Sequence, residues 1–395
     1  MKIGLAGPLL AADFNDLLEQ PYSAPSDCSQ VFTSVNLLAR GMLDRGHEVV
    51  LFTLDASASD EIILTGPSLR ICIGPYRGAP HYRARYRAMD FFRKERRFLQ
   101  QAIDREAPDV VHANWSYEYA LGALASGVPT LISVRDWAPA VLAHYRNAYR
   151  LIRYLMNWVV LHRGKYLVAN SPYIREKLRH KTKRDVPLIP NPIEDSFLCG
   201  APREFPAAMP SIICVGRNFT ELKNQSTLIR ALPHIRERIP DCELHLVGPD
   251  LEPGGKAEQW AKANGLNEGI VYVGPSTRDE IKAALDAAVV MVHPSLEESF
   301  GGVLVEAMAR RVPVVGGRDS GAVPWVLGSG KAGVLCDVRN PQSIASAAVG
   351  LLSSPDEWER ISLAGYERVR TAFRLSKVAE RFEEEYRRVL TARQE

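Results

Sequence analysis

Two short stretches combine carboxylates, cations and glycines at spacings that could bind and activate a phosphorylated substrate. The denser one is His293-Pro294-Ser295-Leu296-Glu297-Glu298-Ser299-Phe300-Gly301-Gly302-Val303-Leu304-Val305-Glu306. An apolar strand there turns through two glycines into a helix. Backbone N–H groups from Gly301 to Leu304 then lie at the positive end of a helix dipole, where phosphate or a sugar hydroxyl can bind. The eight positions from Glu298 to Glu306 span at most about 12 Å at ~1.5 Å per helical residue. One carboxylate can hold a group at the helix mouth while the other reaches a group beside the first two turns, and a nucleotide sugar fits that separation. The second stretch, Gly216-Arg217-Asn218-Phe219-Thr220-Glu221-Leu222-Lys223, also follows an apolar strand. Its Arg could grip a diphosphate as a bidentate fork and its Lys as a point charge. Dipole-partner glutamates and a solvated loop pair are the ordinary alternatives, and spatial proximity of the two stretches decides between the readings.

The elements that must position these residues follow a βα alternation. Strands are expected at Lys2–Gly7, Glu48–Thr53, Asp109–His112, Thr130–Ser133 and Tyr166–Ala169, with a weaker one at Pro187–Ile189, and helices at Ser34–Arg45, Phe91–Arg105 and Tyr117–Ala125. Pro190-Asn191-Pro192 breaks both periodicities. A second series then begins. Its strands are Ser211–Gly216, Glu243–Gly248, Ile270–Gly274, Val289–His293 and Val312–Val315, and its helices Gln225–Arg238, Glu258–Asn264, Arg278–Asp286 and Gly302–Arg310. The 395 residues suit about two domains of ~150–200 residues each. The expected organisation is 1–190, a linker over 191–210, 211–372, and a terminal helix over 373–395. Both domains read as α/β, Rossmann-like and doubly wound, facing each other across a cleft. Val378, Phe382, Tyr386 and Val389 lie on one stripe of the terminal helix, which either caps the second domain or returns to the first.

Gly216-Arg217 with Lys223, followed by Glu298-Ser299-Phe300-Gly301 and then Glu306, resembles the signature of the GT-B fold retaining glycosyltransferases of family 4. The resemblance covers nearly the whole chain and implies an N-terminal acceptor domain and a C-terminal nucleotide-sugar domain. It also implies that Arg217 and Lys223 hold the donor diphosphate, that Glu298 approaches the transferred sugar, and that Ser299, Phe300 and Gly301 present backbone groups to it. Val303 and Leu304 N–H groups would lie near the phosphates, Glu306 would take the ribose and Pro275 would frame the base. The implied reaction moves a hexose-type sugar from a UDP- or GDP-sugar to a glycan or lipid-linked saccharide. No tightly bound cofactor and no metal are expected, because two cations and a helix end can neutralise the diphosphate and the chain has no DxD motif. An epimerase on the same fold and a catalytically degenerate nucleotide-sugar-binding partner are the alternatives.

Three positions depart from the family pattern. His112-Ala113-Asn114 stands where the family has His-x-His, so His112 and Asn114 are both candidates beside the donor sugar. Ser320-Gly321-Ala322-Val323-Pro324-Trp325 carries Trp in place of the usual Glu. The first loop has Pro25-Ser26-Asp27-Cys28-Ser29-Gln30 instead of a glycine pair, leaving Ser29 or Gln30 to contact donor or acceptor.

Charge bears on partners. The net +3 is too small to imply a nucleic-acid binder, and no recognised nucleic-acid motif accompanies it. The surplus lies up to Pro190, where 25 Lys and Arg face 18 Asp and Glu. Nine of those cations fall between Arg77 and Arg105, interleaved with aromatics, and a second group runs from Lys177 to Arg184. This basic half could touch an anionic membrane or be ordinary solvated helix. The six scattered cysteines suit free thiols in a reducing compartment. No apolar run reaches ~18 residues. The expectation is a cytoplasmic protein, peripheral at the inner membrane face if membrane-bound at all.

Overall fold

A computed structural model describes residues 1–23, 33–77, 88–199, 201–205 and 210–392. Ser29, Gln30, Cys28 and the basic stretch 78–87 lie outside the described residues. The chain divides into two compact units, Met1–Pro192 with Leu375–Glu395, and Ile193–Arg374.

The first unit runs β1 (Lys2–Ala6), α1 (Thr33–Asp44), β2 (Glu48–Asp55), β3 (Ile62–Thr65), β4 (Leu69–Pro75), α2 (Arg93–Glu106), β5 (Val110–Asn114), α3 (Glu118–Ser126), β6 (Thr130–Val134), α4 (Ala138–Tyr145), α5 (Ala148–Arg163), β7 (Tyr166–Ala169) and α6 (Pro172–Thr182). The seven strands are ordered β3-β4-β2-β1-β5-β6-β7. All neighbours are parallel except β3, which pairs antiparallel with β4. Helices cover both faces of such a sheet, so its strands carry continuous rather than alternating apolar residues. Every residue of β5 and β6 is accordingly buried. The expected strand at Pro187–Ile189 is a single parallel bridge between Leu188 and Ala169.

The second unit runs β8 (Ser211–Val215), α7 (Gln225–Arg236), β9 (Glu243–Val247), α8 (Lys256–Ala263), β10 (Ile270–Gly274), α9 (Arg278–Ala287), β11 (Val290–His293), α10 (Gly302–Ala309), β12 (Val314–Gly317), α11 (Val323–Val326), β13 (Val334–Cys336), α12 (Pro341–Leu352) and α13 (Pro355–Ala372). Its six strands are all parallel, in the order β10-β9-β8-β11-β12-β13.

The stretch 191–210, expected as a linker, is divided differently. The Ile193 N–H donates to the Phe373 carbonyl at 2.9 Å, and Ile193 and Phe197 are buried in the second unit's core. Their apolar side chains make 193–197 part of the fold, where two prolines suggest a spacer.

The terminal helix α14 (Leu375–Thr391) belongs to the first unit. Its stripe of Val378, Ala379, Phe382, Tyr386 and Val389 is buried with Ile3, Leu38 and Met42. Gly41 of α1 allows the approach, since a Cβ there would lie 2.9 Å from the Leu375 side chain and 3.0 Å from Ala379. Glu383 on the same helix is buried and accepts from Arg45 and Arg387, with His47 3.2 Å away.

Candidate active site

In the second unit the winding direction reverses at β8, with β9 on one side and β11 on the other. Ligands of open α/β sheets bind outside the carboxyl ends of the strands at such a reversal. Both sequence stretches singled out above begin there, Gly216 following β8 and Pro294 following β11.

Backbone bonds stitch the two loops together. The Leu296 N–H donates to the Leu222 carbonyl at 2.9 Å, and the Ser295 hydroxyl donates to the same oxygen at 3.2 Å. Buried Asn224 donates through Nδ2 to the carbonyls of Pro294 (3.0 Å) and Val338 (2.8 Å). It does so from a left-handed backbone (φ 56°), which Asn tolerates better than most residues. Next along the sheet, a Cβ on Gly248 would fall 1.8 Å from the Gly216 carbonyl oxygen. Glycine is thus required where β9 ends against β8.

This stitching brings Lys223 and Glu298 together. Lys223 Nζ donates to Glu298 Oε1 at 2.5 Å, and His293 Nε2 lies 3.2 Å from the same oxygen. The side chains are 30% and 15% exposed, so the pair is sheltered but open to solvent on one side. Burial pushes the Glu298 carboxyl up, yet the Lys223 charge and the His293 hydrogen bond outweigh it and hold the group well below the usual carboxylate range. The Glu298 main chain is fixed as well. Its carbonyl accepts from the Ala322 N–H at 2.8 Å, and Gly321 (φ 61°) passes so close that a Cβ there would lie 2.3 Å from that oxygen.

The α10 helix starts at this loop. Gly301 caps it in the left-handed region (φ 85°) without a side-chain cap. A Cβ on Gly302 would meet nothing within 4 Å, so the helix mouth is open. Helix geometry gives the Gly302 and Val303 N–H groups no intrahelical acceptor. The Leu304 N–H differs from expectation, because it donates to the Gly301 carbonyl at 3.1 Å and is committed to the turn. Phe300 is a core residue whose ring packs against Phe373 (5.7 Å between centroids) and Trp325 (6.3 Å). Trp325, which departs from the family pattern, therefore buttresses the loop from behind. Arg368 holds it through its main chain and stacks 5.6 Å over its ring.

Glu306 lies half-buried on α10; burial raises its carboxyl above the usual range, the Arg278 charge opposing. Arg217 is exposed at the end of β8, and Ser299 is half-buried. Pro275 is exposed beyond edge strand β10 and tied inward through Gly274, whose carbonyl accepts from the Gly248 N–H at 2.7 Å. Among the described residues no group of His, Cys, Asp and Glu is arranged to hold a metal ion.

His112 and Asn114 belong to the first unit. His112 is wholly buried in β5, with Nδ1 2.8 Å from the Tyr386 hydroxyl and Nε2 2.7 Å from the Ser133 hydroxyl. Burial pushes its imidazole well below the usual value, the Arg135 charge adding to the effect. Both ring nitrogens are thus engaged inside the core. Asn114 is buried at the strand's carboxyl end, where its Oδ1 accepts from Arg135 Nη2 at 2.6 Å. Sequence reasoning passed over Arg135, which follows β6 directly, and over His293 as a partner of Glu298. A cation directly after a buried strand was the available signal for Arg135.

Residues 31–197 match the family model described as Glycosyltransferase Family 4, and residues 209–354 match the one described as Glycosyl transferases group 1. The chain belongs to glycosyltransferase family 4. A phosphatidyl-myo-inositol mannosyltransferase from Mycobacterium leprae is 34% identical to this family 4 member over 51% of this chain and 54% of that protein. A D-inositol 3-phosphate glycosyltransferase from Nocardiopsis dassonvillei is 26% identical over 90% of this chain and 88% of its own length. The alignments at 34% identity span only 36% to 54% of the relatives. A sucrose-phosphate synthase from Thermosynechococcus elongatus superimposes with a TM-score of 0.76 at 21% identity, over 99% of this chain and 100% of that one. The fold is GT-B, with two Rossmann-like α/β units.

Proposed function

We propose that this family 4 protein transfers a hexose-type sugar from a UDP- or GDP-sugar, with retention of configuration, to a glycan or lipid-linked saccharide. The Lys223–Glu298 pair at the reversal of the second sheet carries the reading. A diphosphate arriving at the α10 mouth meets Lys223, Arg217 and the Gly302 and Val303 N–H groups, which offset the charge that develops on the departing nucleotide. As the diphosphate draws Lys223, Glu298 turns to the sugar, where an ionised carboxylate stabilises a cationic ring. Glu306 accepts from ribose hydroxyls, and Ser299, Phe300 and Gly301 offer backbone groups to the sugar. A donor phosphate oxygen helps deprotonate the acceptor as the sugar becomes oxocarbenium-like. The mannosyltransferase relative, whose name specifies a phosphatidyl-inositol acceptor, supports a lipid-linked substrate.

The first unit supports a peripheral membrane contact. Leu151, Leu155 and Trp158 lie on one side of α5 and are 47%, 39% and 44% exposed, while Arg153, Met156, Asn157 and Val160 are buried on the other. The outward side of this helix is therefore apolar, the reverse of the usual arrangement. Residues 137–175 contain no Asp or Glu, and include Arg146, Arg150, Arg163 and Lys165. Moving the exposed half of each apolar side chain out of water contributes roughly 1 kcal/mol, and each well-placed cation about 1 kcal/mol at an anionic surface. No helix among the described residues is long and apolar enough to cross a membrane.

The test incubates the full chain with UDP- and GDP-hexoses, with and without membrane extract, and follows nucleotide release and product mass. Sugar transfer that requires extract supports the proposal. An altered sugar nucleotide without any acceptor would indicate an epimerase, and tight binding without turnover a degenerate partner.

A further inference from the structure

Arg135 marks a second binding position, in the first unit. There the winding direction reverses at β1, between β2 and β5, and Arg135 follows β6, adjacent to β5. Residues from three segments fix its guanidinium. Nη1 donates to Ser34 Oγ at 2.9 Å and to Asn191 Oδ1 at 2.6 Å, and Nη2 donates to Asn114 Oδ1 at 2.6 Å. All three acceptors are neutral, and no ion pair joins Arg135 to a carboxylate among the described residues. A guanidinium has five N–H donors; the remaining ones are on Nε, which is buried without a partner, and on Nη2. These two nitrogens flank the edge that grips a carboxylate or phosphate side-on. Burial depresses the Arg135 pKa to about 10, with only the Tyr386 phenol opposing the shift. A sheltered cation with neutral partners costs stability unless a counterion arrives, and a neutral amide could tie Asn114, Ser34 and Asn191 together without that cost.

We infer that Arg135 reads an oxyanion of the substrate, a phosphate or carboxylate group held side-on by Nε and Nη2, while Asn114, Ser34 and Asn191 position the guanidinium. The anion belongs either to the acceptor or to the transferred sugar, an assignment that rests on the glycosyltransferase reading.

The test titrates the full chain with inorganic phosphate while the nucleotide that binds it is kept saturating, so that the second unit's diphosphate position is filled. Melting temperature and the Arg Nε–H resonances of 15N-labelled protein are followed. Wild type is expected to gain melting temperature and to shift one Nε–H signal. Arg135→Gln should lose both responses and Arg135→Lys should keep part of the stabilisation. Asn114→Asp, which places a carboxylate against Nη2, should melt higher without phosphate and respond at least tenfold less to it. Equal phosphate responses in wild type and Arg135→Gln overturn the inference; if Arg135→Gln does not fold, an undiminished response in Asn114→Asp does so. Competition by glucose 6-phosphate but not UDP-glucuronate assigns the anion to the acceptor, and the converse assigns it to the donor sugar. Phosphate displaced by neither lies outside the reaction and overturns the substrate assignment. Absence of nucleotide binding would sink the glycosyltransferase reading while leaving the phosphate response at Arg135 to be judged separately.

Discussion

Lys223 Nζ and Glu298 Oε1 lie 2.5 Å apart although 75 residues separate them in the chain. Each residue thus holds the other in place, and under the proposed function a donor diphosphate competes with Glu298 for the ammonium. Lys223→Ala should weaken nucleotide binding by about 10- to 100-fold, the loss of one charged hydrogen bond worth about 1.5–3 kcal/mol. Glu298→Gln should leave nucleotide affinity within a fewfold and lower kcat by about 100-fold. Calorimetry and steady-state rates on the two variants separate these roles; equal loss of affinity in both would mean the pair acts as one binding unit.

Gly321 offers a test of the scaffold under Glu298. A Cβ there would meet the Glu298 carbonyl oxygen at 2.3 Å, and the residue sits at φ 61°. Gly321→Ala should cost about 1–2 kcal/mol from the backbone conformation alone and lower kcat by about 10- to 100-fold through displacement of Glu298. Wild-type kcat in a folded Gly321→Ala protein would show that the Glu298 position tolerates movement.

The two glutamates should titrate oppositely. Glu298 is held below the carboxylate range, so its stabilising contribution is complete above the ordinary unfolded value and is lost only as pH falls through its lower folded value. Glu306 is raised, so ionising it costs stability as pH climbs past the ordinary carboxylate value, and its capacity to accept from ribose grows as pH passes its folded value. Nucleotide affinity is expected to rise as pH climbs above the ordinary carboxylate value, and to stay flat there in Glu306→Gln. A pH profile unchanged by the substitution would remove Glu306 from the ribose.

His112 should behave as a core residue. His112→Ala leaves the Ser133 and Tyr386 hydroxyls without their buried partner, an expected loss of about 2–6 kcal/mol at about 1–3 kcal/mol for each stranded group. Urea denaturation should register that loss while KM for the donor in the folded fraction stays near wild type. A large KM change with unaltered stability would return His112 to the substrate.

The α5 face can be tested with vesicles. Leu155→Glu with Trp158→Glu should abolish co-sedimentation with phosphatidylglycerol vesicles and leave nucleotide binding intact. Undiminished sedimentation would move any membrane contact elsewhere.

How much of this was legible in the sequence depends on residue type and length. Continuous apolar strands such as Val110–Asn114 and the glycine turn before α10 stood out. The β3–β4 pair did not, because four residues at Ile62–Thr65 lie on a sheet edge and pair antiparallel, outside the βα rhythm. Helices α4 and α5 escaped because α5 carries Leu151, Leu155 and Trp158 on its outward side, which blurs the polar–apolar period. Spacing linked Glu298 at the helix mouth to Glu306 within the helix, but neither Lys223's ion pair with Glu298 nor Arg135's three neutral partners has a local sequence signal, since each joins segments remote in the chain. The core partners of His112 were hidden for a related reason: Tyr386 comes from the terminal helix, 274 residues away.

The central claim, a nucleotide-sugar position built on Lys223 and Glu306, is tested most directly by calorimetric titration of the full chain with UDP, GDP and ADP and their common sugar conjugates. Selective binding of one nucleotide, lost in both Lys223→Ala and Glu306→Ala, is the expected result. Binding of none of them, or binding that both variants retain unchanged, would contradict it.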